Sequence, residues 1–430
     1  MNKNTLIIGF MLFAFFFGSG NLIFPPKLGF ESGQFFIPAI LGFILTGVGL
    51  PLVGLMIGSK YDGGYQSALA KIHPWFSVAL LSAIYLTIAP FFVIPRTGAV
   101  AYEMAVVPFL DTPSWVNLLI FTVIYYAISL WLSINPSKLV DRIGSVLTPV
   151  LLVTVLALIV MSFVKLGGNP ASVATDGYQG KAFFVGFLEG YNTMDMIASV
   201  AFSVIVMSAI SQKLGERANL FVETTKAGLI ATSALALIYL SLGWIGNHLP
   251  LSADELTQVA DKGQNIGTFI LNKSAVLGFG SAGGVVLGLI ASLACLTTTV
   301  GLTVSASEYF HETFPRIGGV NLSYKTYVII FTLIGFVLAN QGLSAVISKS
   351  IPVLLVLYPI TMTAMILLGF NIIKPLPVFA KRVSLGLVTV VSVLSVAGVN
   401  LPLKDYSIEW LPFAVAGLII GLVFDKVMKK

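Results

Sequence analysis

The sequence predicts an all-α membrane protein of twelve transmembrane helices, with spans 1–5 and 6–10 related as an inverted repeat and two helices following. Three observations predict it. Of 430 residues, 57% are hydrophobic and only 10% charged, against about 25% charged in ordinary soluble domains. Apolar runs of about 20 residues, the length a helix needs to cross a bilayer, recur twelve times. Spans 1 and 6 are both interrupted and spans 3 and 8 are both unusually long, an offset of five spans. An odd offset inverts topology, which is the design of many membrane carriers. The runs are continuously apolar rather than alternating, so a β-barrel is excluded.

Span 1 (5–28) starts as ordinary membrane helix and breaks at Gly18-Ser19-Gly20-Asn21, then resumes through Leu22-Ile23-Phe24 into Pro25-Pro26. Glycine costs about 1 kcal/mol relative to alanine in a helix interior, and backbone freed inside hydrocarbon must be buried or line a cavity. The competing reading is a glycine hinge or a close helix contact. A cleaved leader is set aside, because no A-x-A site follows and the apolar chain continues past the glycines. Span 2 is 35–58, and Gly63-Gly64 after it reads as a turn. Span 3 (75–107) carries Pro90, Pro95, Arg96 and Glu103. Spans 4 (115–134) and 5 (143–165) flank the turn residues Asn135-Pro136-Ser137.

Span 6 (182–210) is interrupted at Glu189-Gly190-Tyr191-Asn192-Thr193-Met194-Asp195. Span 7 is 227–247, and the polar stretch 248–275 reads as a surface loop. Span 8 (276–308) is rich in glycine and carries Cys295 and Thr297-Thr298-Thr299. Spans 9 (324–340) and 10 (343–370) precede the two extra helices, spans 11 (382–400) and 12 (408–426). The chain 1–430 is one transmembrane domain: 1–165 is the first repeat, 182–370 the second, and 382–426 lies outside both.

Basic residues set the orientation. With the N-terminus inside, sixteen lysines and arginines fall on cytoplasmic segments, among them Lys138, Arg142, Lys429 and Lys430. Six fall on the opposite face, among them Lys262, while Arg96 and Lys349 lie within spans. Both termini are therefore expected in the cytoplasm. The net charge of +6 is then accounted for by anionic lipid headgroups without a nucleic acid. The single Cys295 allows no internal disulfide, and His73, His248 and His311 sit near different span ends, so no shared metal site is expected. H-E-x-x-H, Walker A and dinucleotide fingerprints are absent, which argues against an enzyme and against ATP drive.

The chemistry concentrates at the breaks. A broken helix presents N–H groups on one half and C=O groups on the other, which suit an anionic group and a cation respectively. Glu189 and Asp195 put two carboxylates into a run that must cross the membrane, where a charge costs about 2.5–3.5 kcal/mol on insertion scales. Against a gating role stand Glu189 at the interface and Asp195 as a helix cap. Three successive threonines in span 8 sample three faces, so one faces the bundle; alone, each would bond its own backbone. Hydroxyl and carbonyl oxygens suit a hard cation such as Na+. Arg96 with Glu103, and Lys349 with Glu189 or Asp195, are the expected intramembrane pairs; snorkelling to the interface is the alternative.

The segment Gly18-Ser19-Gly20-Asn21-Leu22-Ile23-Phe24-Pro25, with Glu189 to Asp195 and twelve spans, resembles the bacterial branched-chain amino acid carriers of system II. These form the LIVCS family, in the amino acid–polyamine–cation superfamily, with the leucine-transporter fold. The resemblance spans essentially the whole chain. It implies symport of leucine, isoleucine and valine with Na+ or H+, Na+ being a coupling ion and no cofactor being needed. It implies a substrate site at Gly18, Ser19, Gly20 and Asn21, where the backbone N–H groups around Ser19 and Gly20 receive the carboxylate and Asn21 serves a second Na+ or the substrate. It also implies that carbonyls at Gly190, Tyr191, Asn192 and Thr193 receive the ammonium. It places Na+ among Ala14, Phe17, Thr298 and Thr299. The arginine that precedes Phe-Pro in the leucine-transporter motif is absent here, where Ile23 precedes Phe24-Pro25. The gate then falls to Arg96 or Lys349, with Glu103, Glu189 and Asp195 as further gating or coupling candidates. Phe15, Phe16, Ile84, Tyr191 and Phe202 are candidates to line an apolar pocket. Such a pocket separates aliphatic chains by only about 1–3 kcal/mol per methylene. The alternatives are a Na+-coupled carrier of another small neutral solute (alanine, serine or a nucleobase), a passive pore and a membrane-embedded enzyme.

Overall fold

The computed structural model describes residues 3–110, 112–135, 147–215, 217–261 and 263–428. Lys138, Arg142, Lys262, Lys429 and Lys430 of the orientation argument, the turn residues Pro136 and Ser137, and the start of span 5 lie outside the described residues.

Span 1 is two helices, α1 (Lys3–Phe16) and α2 (Ser19–Ser32). Span 2 is α3 (Phe36–Ile44) and α4 (Leu50–Gly58), joined by a widened π-type turn at Leu45–Gly49. A short helix α5 (Gly64–Ala70) leads to α6 (Pro74–Leu86), which starts at proline because its missing N–H costs nothing there. Pro90 falls in a second π-type turn, Thr87–Phe91, and α7 (Val93–Ala105) resumes beyond it carrying Arg96. Next come α8 (Trp115–Ser133) and α9 (Thr148–Leu166).

Span 6 is also two helices, α10 (Ala182–Glu189) and α11 (Asp195–Leu214), separated by a 3-10 turn at Gly190–Thr193. Next is α12 (Leu220–His248). The stretch expected as a surface loop, 248–275, instead holds α13 (Ala253–Asp261) and most of α14 (Ile266–Phe279). Asn265 starts α14 by accepting from Gly267 N at 2.9 Å. Its apolar face (Ile270, Leu271, Ala275) is buried against the bundle. Its 14 residues are too few to cross a bilayer alone, and it continues into the next helix as one apolar stretch, Ile266–Thr313. Span 8 is α15 (Gly283–Thr313), starting later than expected because 276–279 belong to α14. A two-residue hairpin pairs β1 (Arg316–Ile317) with β2 (Val320–Asn321). Its turn needs Gly318 and Gly319, at φ 57° and 84°. Then follow α16 (Tyr324–Ala339), α17 (Leu343–Ile373), α18 (Val378–Val396) and α19 (Trp410–Met428).

Among the described residues ten helical stretches are long and apolar enough to cross a membrane. Lys3–Phe16 and Tyr324–Ala339 are shorter apolar helices. The chain is therefore a multi-pass helical membrane protein. Its helices sort into two groups. The broken helices α1, α2 and α11 pack with α12, while α7 and α8 pack with α15 and α16. The last two helices, α18 and α19, pack chiefly on each other. Small residues let backbones meet in the first group. A Cβ on Gly29 or Gly246 would overlap a carbonyl, of Gly243 and Pro26 respectively, and a Cβ on Gly267 would overlap that of Ile23. Close approach through small residues is the usual packing device between membrane helices.

Candidate functional site

The two breaks meet at the centre. At the first, Gly18 is extended (φ −120°, ψ −154°), and its amide donates to Asn21 Oδ1 at 3.1 Å. The amides of Ser19, Gly20 and Asn21 open α2, and the first amides of a helix have no intrahelical acceptor. The glycines here serve proximity rather than an unusual φ. A Cβ on Gly18 would lie 2.7 Å from Thr298 Oγ1, and one on Gly20 would lie 2.7 Å from Arg96 Nη2 and 3.2 Å from Asn192 O. At the second break Met194 is in the left-handed region (φ 66°), a strained conformation for a residue with a Cβ. Helix α11 then opens on Asp195, a carboxylate at the positive end of its dipole.

Side chains join the two breaks. Asn21 Nδ2 donates to Asp195 Oδ2 at 2.6 Å and also to the Tyr239 hydroxyl, which itself donates to Asp195 Oδ2 at 2.8 Å. From α7, Arg96 Nε donates to Ser19 Oγ at 3.1 Å, Nη1 to Asn192 O at 2.6 Å and Nη2 to Thr193 O at 3.4 Å. Asp195 is 3% exposed and Arg96 1%. Thr193 Oγ1 donates to Gly190 O at 2.9 Å, closing the 3-10 turn. Gly190 itself lies so close to Thr46 that a Cβ would overlap that hydroxyl. The Tyr191 ring turns away and stacks on Tyr358 at 4.1 Å.

The threonine run divides between two faces, as a helix turning about 100° per residue requires. Thr298 Oγ1 donates to Ala14 O and Phe15 O at 3.2 and 3.0 Å, and Thr297 Oγ1 to Ala14 O at 3.0 Å. These uncharged oxygens at the end of α1 are of the kind that hold Na+. Thr299 faces the other way, 2.5 Å from Thr97 Oγ1 and 2.8 Å from the Tyr125 hydroxyl, and donates to Cys295 O. The structure thus brings Ala14 to Thr298 and adds Thr297, but does not bring Thr299 to them. Phe17 closes α1 through its amide on Phe13 O at 2.7 Å.

The expected ion pairs are not the ones formed. Arg96 does not meet Glu103: the two lie seven residues apart on α7, about 10 Å along the axis, and Glu103 accepts from Thr268 Oγ1 at 2.9 Å. Lys349 reaches neither Glu189 nor Asp195; it lies at the exposed end of α17 and donates to Gln341 Oε1 at 2.5 Å. Glu189 instead takes Lys27 of α2 at 2.8 Å and Asn192 Nδ2 at 3.0 Å, with Glu31 3.7 Å from the same lysine. Phe15 and Phe16 both pack on Phe202, at 5.3 Å. Lys27, Thr97, Tyr239 and Tyr358 are additions that sequence reasoning missed, while Thr297 belonged to the threonine run but not to the pair named for Na+. Lys27 had a signal, a lysine directly after the break's prolines; a lone tyrosine in an apolar span, such as Tyr239, had none.

A helical membrane protein with two interrupted spans facing each other at its centre has the fold of a carrier of the leucine-transporter type, and solved structures agree. The protein matches the transporter Mhp1, of the nucleobase-cation-symport-1 family, solved closed with bromovinylhydantoin bound. The TM-score is 0.59 and the identity 13%, over 97% of this chain and 91% of that one. It also matches MhsT in complex with L-phenylalanine, with a TM-score of 0.56 and 17% identity over 98% of each chain. The chain belongs to the branched-chain amino acid transport protein family, whose model matches residues 1–428. A Staphylococcus saprophyticus protein named as a candidate branched-chain amino acid carrier is 51% identical over 100% of this chain and 98% of its own length. A similarly named protein of Staphylococcus aureus strain USA300 is 47% identical over the same shares.

Proposed function

We propose that the protein is a secondary active symporter that imports leucine, isoleucine and valine together with Na+, or with H+, by alternating access. Twelve spans in the cell membrane, five related to five by inversion and two outside, would carry it, with both termini in the cytoplasm. The observation that carries this reading is the opposed polarity of the two breaks. The amide-bearing first turn of α2 and the carbonyls of Asn192 and Thr193 lie on one side chain, Arg96, which donates to Ser19 Oγ and to both carbonyls. A zwitterion needs both polarities at once, and its aliphatic chain needs an uncharged surface such as that of Phe15, Phe16 and Phe202. The carrier names of the relatives and the bound amino acid of MhsT support the substrate class. The oxygens of Ala14, Phe15, Thr297 and Thr298 support a cation beside it. The sorting of α7, α8, α15 and α16 into one group supports a scaffold against which the broken helices move.

The second reading is a Na+-coupled carrier of another small neutral solute, such as alanine, serine or a nucleobase; the family of Mhp1 favours the last. Radiolabelled leucine uptake into proteoliposomes decides between them. Concentrative uptake under an inward Na+ gradient is expected. Uptake driven equally by a proton gradient alone would retire the Na+ site and move coupling to Asp195 or Glu189. No concentrative leucine uptake under either gradient would overturn the substrate.

A further inference from the structure

Arg96 is a buried cation without a contacting anion. Among the described residues its guanidinium bonds neutral oxygens, Ser19 Oγ, Asn192 O and Thr193 O, and lies over the Phe24 ring at 5.4 Å. Among the described residues no carboxylate forms an ion pair with it. Asp195, the acid of the same break, has its Oδ2 committed to Asn21 and Tyr239. Asp195 is near enough to act on Arg96 through space but does not contact it, and a buried charge whose counter-charge is out of contact is costly to hold.

Its position makes the need sharper. The guanidinium lies over the first turn of α2, 2.7 Å from where a Cβ of Gly20 would be. That turn presents unpaired amides and the positive end of a helix dipole. Two positive features converge, and among the described residues no carboxylate pairs with the guanidinium there. A guanidinium has five N–H donors in a fork that fits a carboxylate, and three are used here. A carboxylate placed between α2 and Arg96 would satisfy both.

We propose that Arg96 is the carboxylate-binding side chain of the transport site. It also holds Asn192 O and Thr193 O, the carbonyls that the substrate ammonium takes over on binding. Binding is thus an exchange of one cation for another, in which Arg96 gains its counter-ion. This rests on the amino acid carrier reading and assigns Arg96 to the substrate rather than to a gate.

The test is titration of the purified full-length protein with leucine and with leucinamide, which keeps the ammonium and lacks the carboxylate. Binding is read by calorimetry on wild type, Arg96→Gln and Arg96→Lys. Wild type is expected to prefer leucine by at least about 100-fold, the scale of a buried charge contact. In Arg96→Gln the preference falls below about tenfold, because leucine weakens while leucinamide holds or improves; retained amide binding shows that the variant is folded. In Arg96→Lys, leucine weakens by about tenfold, the loss of the bidentate fork, with leucinamide unchanged. A preference that survives intact in Arg96→Gln overturns the proposal. So does a monodisperse Arg96→Lys in which leucine and leucinamide weaken equally. Wild type that binds neither ligand would instead overturn the carrier reading on which the proposal rests.

Discussion

At the break between α1 and α2 the chain satisfies its freed amide from within, whereas at the break between α10 and α11 it imports a cation from another span. Asn21 supplies the first cap three residues on, and its own amide nitrogen then reaches Asp195. The second break spends a strained Met194 and leaves Asn192 O and Thr193 O to Arg96. The difference follows from direction. An opening helix offers donors, which a short polar side chain accepts locally, as at any N-cap. A closing helix offers acceptors, which need a donor, and a long basic side chain from a neighbouring helix brings several. The freed amide of the first break is therefore held by its own residues, while the carbonyls of the second depend on the packing of α7.

The largest expected effect tests the link between the two breaks. Asp195→Ala leaves the Asn21 amide and the Tyr239 hydroxyl without their shared acceptor. The loss of buried hydrogen bonds to a charged group costs about 3 kcal/mol, measured as a fall in the thermal midpoint of the purified protein. An unchanged midpoint would mean that the breaks are held together elsewhere. Next, Gly20→Ala drives a methyl toward Arg96 Nη2 and Asn192 O. Overpacking of this kind costs about 1–3 kcal/mol. That corresponds to about 5- to 150-fold in leucine affinity, which equilibrium binding would read. Wild-type affinity would show that the breaks can separate freely.

A smaller effect separates the two faces of the threonine run. Thr298→Ala removes a hydroxyl from the end of α1, and a net hydrogen-bond loss of about 1 kcal/mol should raise the Na+ concentration for half-maximal uptake about fivefold. Thr299→Ala should lower thermal stability and leave that Na+ dependence in place. The reverse pattern would put the cation beside Thr97 and Tyr125.

The smallest effect is a control remote from both breaks. Glu255 of α13 pairs with Lys273 of α14 at 2.6 Å, and the ammonium beside it holds its carboxyl below the usual value. A depressed carboxyl contributes stability above its unfolded pKa and loses it as pH falls through the folded one. Glu255→Gln should therefore cost at most about 0.5 kcal/mol at pH 7, as exposed pairs do, and less below pH 4.5. Leucine affinity should not change.

The sequence by itself determined the membrane class, the two interruptions and the nearness of Thr298 to the end of α1 within a family pattern. Those are legible because hydropathy runs, glycine pairs and prolines act on the residues around them. Only the tertiary structure decided which groups meet. Arg96 was visible as an intramembrane cation, but its partners lie 77 to 97 residues away at Ser19, Asn192 and Thr193. Lys349 carries the same charge in a neighbouring span, yet it lies at an exposed helix end. Thr299 differs from Thr298 by one position and faces another neighbour. Tyr239 gave no local signal, and α14 was hidden by its short apolar run. In each case the deciding quantity is the rotation or depth of one helix against another. That is set by close packing at contacts such as Gly29 with Gly243, which bring together residues far apart along the chain.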